Sequence, residues 1–277
     1  MPLVTLADVL QPALKNGYAV AGLVTLGWED MCAFVAAAEA ENVPLILQAG
    51  PGCREHTPLP ILGKMFVYLA ENASVPVVAH LDHGYAMEEC RIALECGFTS
   101  VMYDGSRKPL SQNIEETAAI AELAHAQGMS CEGEIGFVGY AEGESSQGTD
   151  PDEAAQFAQQ TRVDAMAISV GNVHLQTDAG GCLDEERIRS IEIKTNVPLV
   201  IHGGSGVPVE QRLSLAMNTA ICKYNIGTEL RQVFGQALRE SVNKDPSRFD
   251  RVSILKDTHE PLFNATRKVL QSVTPTR

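Results

Sequence analysis

Three apolar runs in this chain each end in histidine. Val75-Pro76-Val77-Val78-Ala79 leads into His80-Leu81-Asp82-His83-Gly84, Ala167-Ile168-Ser169-Val170-Gly171-Asn172-Val173 into His174, and Val197-Pro198-Leu199-Val200-Ile201 into His202. If these runs are parallel strands of one barrel, the imidazoles converge on one rim. Three neutral imidazoles around an open position are the ligand set of a catalytic zinc. Other runs end in groups that also bind cations or move protons: Asp82, Asp104 in Tyr103-Asp104-Gly105-Ser106, Glu132 and Glu134 around Gly133, and Asn225. A lone strand-end histidine is commonly a satisfied structural residue, and a lone acid is commonly a helix cap or a solvated charge. The joint placement of so many metal-capable groups is what points to a metal site.

The elements needed to position them can be read from the pattern. Strand-like runs recur every 25 to 35 residues, the spacing of βα units: Tyr18–Leu23, Pro44–Ala49, Pro76–Leu81, Ser100–Tyr103, Ser130–Glu134, Ala165–Val170, Pro198–His202 and Ile221–Asn225. Between them lie segments of helical periodicity, clearest at Glu29–Glu41, Met87–Cys96, Asn113–Gln127, Asp152–Gln160 and Glu210–Met217. Val-Pro opens three of the strands, at Val43-Pro44, Val75-Pro76 and Val197-Pro198, where proline is tolerated. Eight apolar runs alternating with helices predict an α/β fold, a (β/α)8 TIM barrel, over a doubly wound open sheet. The whole chain, 1–277, reads as one domain, with 245–277 a C-terminal extension, helical from about Glu260 to Ser272, that caps the barrel or meets a neighbouring subunit. A long loop rich in Gly, Glu and Ser, Gly136–Pro151, is expected at the active-site rim.

Composition narrows the class. With 277 residues and 45% hydrophobic content, one barrel of this size can fill its core; aromatics are only 5%, so branched aliphatic residues must do most of that filling. A formal charge of −14 argues against nucleic-acid or anionic-membrane partners, although one local site can still be positive. The N-terminus has no signal-peptide pattern, and no run approaches the roughly 18 apolar residues of a membrane span. Seven cysteines, an odd number without a CxxC pair, read as reduced thiols of a cytoplasmic protein. The turns Gly203-Gly204-Ser205-Gly206 and Asn225-Ile226-Gly227-Thr228 follow the last two predicted strands, the usual phosphate position in barrels, where backbone N–H groups can hold the anion.

From Ala7 to Leu230 these motifs, in this order, resemble a class II ketose-bisphosphate aldolase of the fructose- and tagatose-bisphosphate group. The resemblance is carried by His80-Leu81-Asp82-His83, Ser100 to Ser106, Glu132-Gly133-Glu134-Ile135-Gly136, Gly171-Asn172-Val173-His174, His202-Gly203-Gly204-Ser205-Gly206 and Cys222 to Leu230. It implies one Zn2+ on His83, His174 and His202, with Glu134 and Asp104 at an alternative or second divalent cation position. It implies that Asp82 moves the hydroxyl proton during carbon–carbon cleavage, and that Glu142 in the long loop exchanges the proton on the enediolate carbon. Gly171, Gly203, Gly204, Ser205, Asn225, Gly227 and Thr228 would hold the substrate and its phosphate, with a monovalent cation (Na+ or K+) nearby. The expected reaction is reversible cleavage of a ketose 1-phosphate or bisphosphate to dihydroxyacetone phosphate and an aldehyde, by a homodimer or homotetramer.

Departures from the family pattern lie around the substrate. Leu175 stands where the family has glycine, Gly139-Tyr140 where it has a glycine pair, Gly22-Leu23-Val24-Thr25 where the first strand ends in Phe-Asn, and Gly50 where a serine or threonine is usual. The arginine expected for a distal phosphate is out of register, with Val252 in its place and Arg248 and Arg251 nearby. The aldehyde half is therefore expected to lack a phosphate or to carry another polar group. The competing readings are a metal hydrolase on the same barrel and a non-catalytic sugar-phosphate-binding subunit.

Overall fold

The computed structural model describes residues 2–177 and 180–274. A short strand β1 (Leu3–Val4) and helix α1 (Leu6–Asn16) precede β2 (Val20–Val24). There follow α2 (Trp28–Glu41), β3 (Leu45–Ala49), α3 (Pro51–His56), α4 (Leu59–Asn72), β4 (Val77–Gly84), α5 (Met87–Glu95), β5 (Ser100–Tyr103), α6 (Leu110–His125), β6 (Ser130–Ile135), α7 (Pro151–Thr161) and β7 (Ala165–Ile168). The chain continues through α8 (Glu185–Glu192), β8 (Leu199–Ile201), α9 (Val209–Asn218), β9 (Ile221–Ile226), α10 (Thr228–Lys244), α11 (Arg251–Lys256) and α12 (His259–Gln271). Strands β2 to β9 pair in parallel in chain order, and β9 pairs back to β2, with Val20 opposite Lys223 and Gly22 opposite Asn225. The sheet is a closed eight-stranded TIM barrel.

All eight expected barrel strands are present. The first begins at Val20 rather than Tyr18, the third runs on to Gly84, and the sixth stops at Ile168. Strand alternation sends one set of side chains inward and the other under the helices. Val20, Ile46, Val78, Met102, Ala165, Ala167, Val200 and Cys222 form the lower interior, and Leu6, Val9, Leu10 and Ala13 of α1 pack against them. The floor of the barrel is thus closed by α1, not by the C-terminal tail. Thr5 starts α1 with a capping box: the Asp8 N–H donates to Thr5 Oγ1 at 3.3 Å, and the Thr5 N–H donates to Asp8 Oδ2 at 2.9 Å. In the tail, α12 packs along α2 and α10 on the outer wall, where Leu262, Val269 and Leu270 are buried. Among the described residues no helix is long and apolar enough to cross a membrane.

Candidate active site

Alternation alone would point Asp82 into the barrel and His83 out of it. The β4–β5 register shifts between Leu81 and Gly84, and His83 adopts φ 53°, in the left-handed region that non-glycine residues rarely occupy. The combination turns His83 inward as well, so consecutive residues both face the site. Arg54 holds that backbone from behind. Its guanidinium donates to the carbonyls of Ala49 (2.7 Å), Asp82 (2.6 Å) and His83 (2.9 Å), while Nε pairs with Glu89 at 2.8 Å. Strain of order 1–3 kcal/mol persists only where surrounding structure over-determines it, and these bonds supply that restraint.

His83, His174 and His202 come together, with ligand atoms within 4.8 Å of one another. A second group, His83, Asp104 and Glu134, meets the same distance limit. His202 is fully buried; its Nε2 lies 3.1 Å from Glu132 Oε1, and its Nδ1 has no hydrogen-bond partner. Glu134 Oε2, 3.5 Å from that Nδ1, is buried and unpartnered too. Two facing orphan acceptors in a buried site are what a cation would satisfy, and a carboxylate on the far nitrogen is the usual support for a ligating histidine. The donor set of three imidazoles with adjoining carboxylates fits a divalent cation of the zinc type. His83 Nδ1 pairs with Asp104 Oδ2 at 2.8 Å, and Asp104 Oδ1 accepts from the Ser106 N–H and hydroxyl.

His80 occupies the layer below. Its Nδ1 is 2.8 Å from Ser100 Oγ and its Nε2 is 3.3 Å from Lys223 Nζ; Lys223 donates to Glu132 Oε2 at 2.6 Å. His80, Glu132 and Lys223 have no solvent exposure. They form a charge-balanced base under the histidine cluster. Burial and the Lys223 charge push His80 down to about 3, so this imidazole is neutral at physiological pH.

Electrostatics divide the rim carboxylates. Burial pushes Asp82 up, but His83, His202 and Lys223 outweigh it and hold the carboxyl down to about 2. Glu134 goes the other way, raised to about 8 by burial and then by the Asp104 charge. His83 is opposed by burial yet lifted to about 10 by Asp82, Asp104 and Glu134. His174 is lowered to about 3 by burial and its two histidine neighbours. Without a cation the site is therefore an ionised Asp82 beside a protonated His83.

A cavity of about 350 Å³ opens above the cluster. Its walls include Asp82, His83, His174, Gly203, Ser205, Asn225, Gly227 and Thr228. Asp104, Glu134 and His202 lie beneath it, and Gly204 is buried in the turn behind. Asn225 donates from Nδ2 to Asp82 Oδ1 at 3.1 Å. A Cβ at Gly50 would sit 3.4 Å from Asp82 Oδ2, so a glycine there leaves that oxygen open to the cavity. Gly203, at φ 64°, must be glycine: a Cβ would stand 2.1 Å from the Val173 carbonyl oxygen. Gly227 has no side chain to cap α10, and Ser205 Oγ takes that place, accepting from the N–H groups of Gly227 and Glu229 at 3.3 and 3.4 Å. Buried Arg212 fixes the turn by donating to the carbonyls of Ser205 and Val207.

Two expected residues stand apart. Gly171, at φ 101°, turns the chain after β7 and is exposed. Glu142 is exposed at the tip of the long loop; the loop is hydrogen-bonded to the rim at Gly139, Ala141 and His174, and it sets the Tyr140 ring, tilted, against His174 with ring centroids 5.1 Å apart. Neither Gly171 nor Glu142 lines the cavity. The two arginines considered for a distal phosphate are elsewhere as well. Arg248 is bound to Asp257, Ser241 and Ser253, and Arg251 lines a neighbouring apolar cavity of about 640 Å³. Sequence reasoning did not assign Arg54, Arg212 or Lys223. Lys223 alone had a signal, a lysine inside an otherwise apolar strand.

The fold and the rim place the chain among barrel enzymes that act on small polar substrates at the C-terminal ends of their strands. Within that class it belongs to the class II fructose-bisphosphate aldolase family, whose description, fructose-bisphosphate aldolase class-II, matches residues 4–274. It is 37% identical over 257 residues to a fructose-bisphosphate aldolase of Geobacillus stearothermophilus, covering 90% of this chain and 89% of the relative. A Staphylococcus aureus fructose-bisphosphate aldolase is 34% identical over the same length, covering 90% of each chain. Among solved structures, the YdjI aldolase of Escherichia coli K12 superposes with a TM-score of 0.88 at 28% identity, covering 99% of this chain and 98% of that one. The chain is a class II aldolase, a carbon–carbon lyase of a family that is generally metal-dependent.

Proposed function

We propose that the enzyme reversibly cleaves a ketose 1-phosphate or ketose bisphosphate to dihydroxyacetone phosphate and an aldehyde. The observation that carries this reading is the cavity itself, with Asp82 and His83 on one side and the first turn of α10 on the other. His83, His174 and His202 would hold one Zn2+, with Glu134 and Asp104 available for an alternative or second divalent position. A bound divalent cation supplies Lewis-acid polarisation of the ketose carbonyl and hydroxyl oxygens.

The chain's own groups do the rest. Asp82, ionised and steadied by Asn225, accepts the hydroxyl proton as the carbon–carbon bond breaks and returns it to the aldehyde oxygen in condensation. Glu142 moves the proton on the donor carbon, a role that requires the loop carrying it to close over the cavity. Ser205, Gly203 and the Asn225–Thr228 turn, with the first N–H groups of α10, hold the phosphate; Gly171 and Gly204 shape the loops behind, and backbone carbonyls near the phosphate turns would hold a monovalent cation (Na+ or K+). With Val252 in the place of the arginine that would reach a distal phosphate across a subunit interface, the aldehyde half lacks a phosphate or carries another polar group. The working form is a cytoplasmic homodimer or homotetramer.

The test is a screen of zinc-loaded protein with dihydroxyacetone phosphate and a panel of aldehydes. Stereodefined ketose 1-phosphates are the expected products. No condensation with any aldehyde, at full zinc occupancy, overturns the reading.

A further inference from the structure

The active-site cavity and the neighbouring apolar cavity of about 640 Å³ share Val24, Leu26 and Arg231 in their walls. The larger one lies between α2, α4, α10 and α11. Buried Met31, Phe34 and Leu62 form its base, and Met65, Phe234 and Leu255 line it further. The arginines and carboxylates of its lining cancel, Arg231 and Arg251 against Glu29 and Asp30. Asp30 Oδ2 is also engaged already, by the N–H groups of Leu26 and Gly27 at 2.8 and 3.1 Å. A mostly apolar lining of balanced charge suits an uncharged apolar ligand and offers a phosphate no concentrated positive field. The volume falls within the range of small-molecule sites, about 300–1,000 Å³.

Asp82 marks the route from one cavity to the other. Its Oδ1 accepts from Asn225, which leaves Oδ2 to exchange the proton of the aldehyde oxygen. A Cβ on Gly50 would be 3.4 Å from that Oδ2 and 3.6 Å from Val24 Cγ1. The space left by Gly50 therefore leads from the carboxylate to Val24, a wall residue of both cavities. Val24, Leu26, Gly50, Pro51 and Gly52 make the wall on this side, with no charged or hydroxyl side chain among them. We propose that the apolar cavity binds the tail of the aldehyde half, and that the preferred aldehydes are uncharged, with an apolar chain or ring of several carbons. The inference rests on the aldolase reading for its reaction, and it takes the first alternative left there, an aldehyde half without a phosphate.

The experiment measures kcat/KM for straight-chain aldehydes from propanal to octanal, with dihydroxyacetone phosphate as donor and the protein loaded with zinc. The value should rise about fourfold for each methylene that enters the cavity. Leu26, 38% exposed where the two cavities meet, can be changed at little cost to folding. In Leu26→Asp, and in Leu255→Asp deeper in the cavity, the octanal-to-propanal ratio should shrink about tenfold or more, because the chain must then pass or desolvate a carboxylate. A flat or falling series in wild type overturns the proposal, and it is the result expected if a second copy of this chain covers the cavity instead. A ratio undiminished in both variants overturns it as well. Trp28, the chain's one tryptophan, lines the same cavity and gives a reading without turnover. 1-Octanol, which cannot react, should shift its emission saturably, with an affinity about tenfold weaker in Leu255→Asp. No saturable shift in wild type overturns the assignment. Saturable octanol binding by a protein that condenses no aldehyde would instead count against the aldolase reading alone.

Discussion

Glu132 and His202 are joined by a 3.1 Å contact at the heart of the barrel, and it decides which imidazole nitrogen is left for the histidine and carboxylate cluster. The Nε2–H donates to the ionised Glu132, so Nδ1 is left with its lone pair toward Glu134. Lys223, at 2.6 Å from the other oxygen, keeps Glu132 ionised despite complete burial. Glu132→Gln should therefore weaken zinc binding about ten- to hundredfold, the usual cost of losing such a support. Competition with a chromogenic chelator measures it. An affinity within twofold of wild type would show that Glu132 does not set the ligand's orientation.

Lys223→Met removes the partner of a buried carboxylate. Breaking a buried pair from one side typically costs about 3–5 kcal/mol, so the denaturation midpoint should drop sharply. Lys223→Met combined with Glu132→Leu should recover much of the loss, since the double variant leaves no uncompensated charge. A double variant no more stable than Lys223→Met would refute the charge-balance account.

Cation uptake should release protons. In the cation-free site Glu134 stays protonated up to about pH 8 and His83 up to about 10. Both groups must lose their protons to become ligands, so apparent zinc affinity should rise with pH between 6 and 8. Calorimetry in buffers of different ionisation enthalpy reads the proton count directly. Zero net release at pH 7 would contradict the geometry described here. His202→Ala should lose cation and activity together.

Asp82→Asn should keep the cation and lose cleavage by about a hundredfold or more, because an amide cannot accept the hydroxyl proton. Exchange of the donor-carbon proton should survive in that variant and fail in Glu142→Gln. If both variants lose both activities in the same proportion, the division of labour between the two carboxylates is wrong.

Leu175 has φ 58°, yet it carries a branched side chain that is half exposed at the cavity mouth. The left-handed conformation costs a residue with a Cβ about 1–2 kcal/mol. Leu175→Gly should stabilise the protein by about 1 kcal/mol, a rise of about 2 °C in melting temperature for a chain of this size. It should also widen the range of aldehydes accepted. A lower melting temperature would mean that Leu175 packs usefully against the closed loop.

Much of this molecule was legible in the sequence because it depends on local pattern. Apolar runs at βα spacing specified eight strands, and the strand order followed because parallel neighbours in a barrel are joined by right-handed crossovers. The residues at the strand ends were then bound to share one rim, so His174, His202, Asp104 and Glu134 could be named together. Tertiary structure alone decided the rest. His83 was named in the sequence only through the family resemblance; what turns it, rather than His80, into the cluster is a register shift and a left-handed backbone, and neither feature has a signature in residue type. His80 and Lys223, 143 residues apart, meet only when β4 and β9 are placed across the barrel. Arg54 and Arg212 look like ordinary surface cations in the sequence. Their roles come from which carbonyls the folded backbone brings within reach of their side chains.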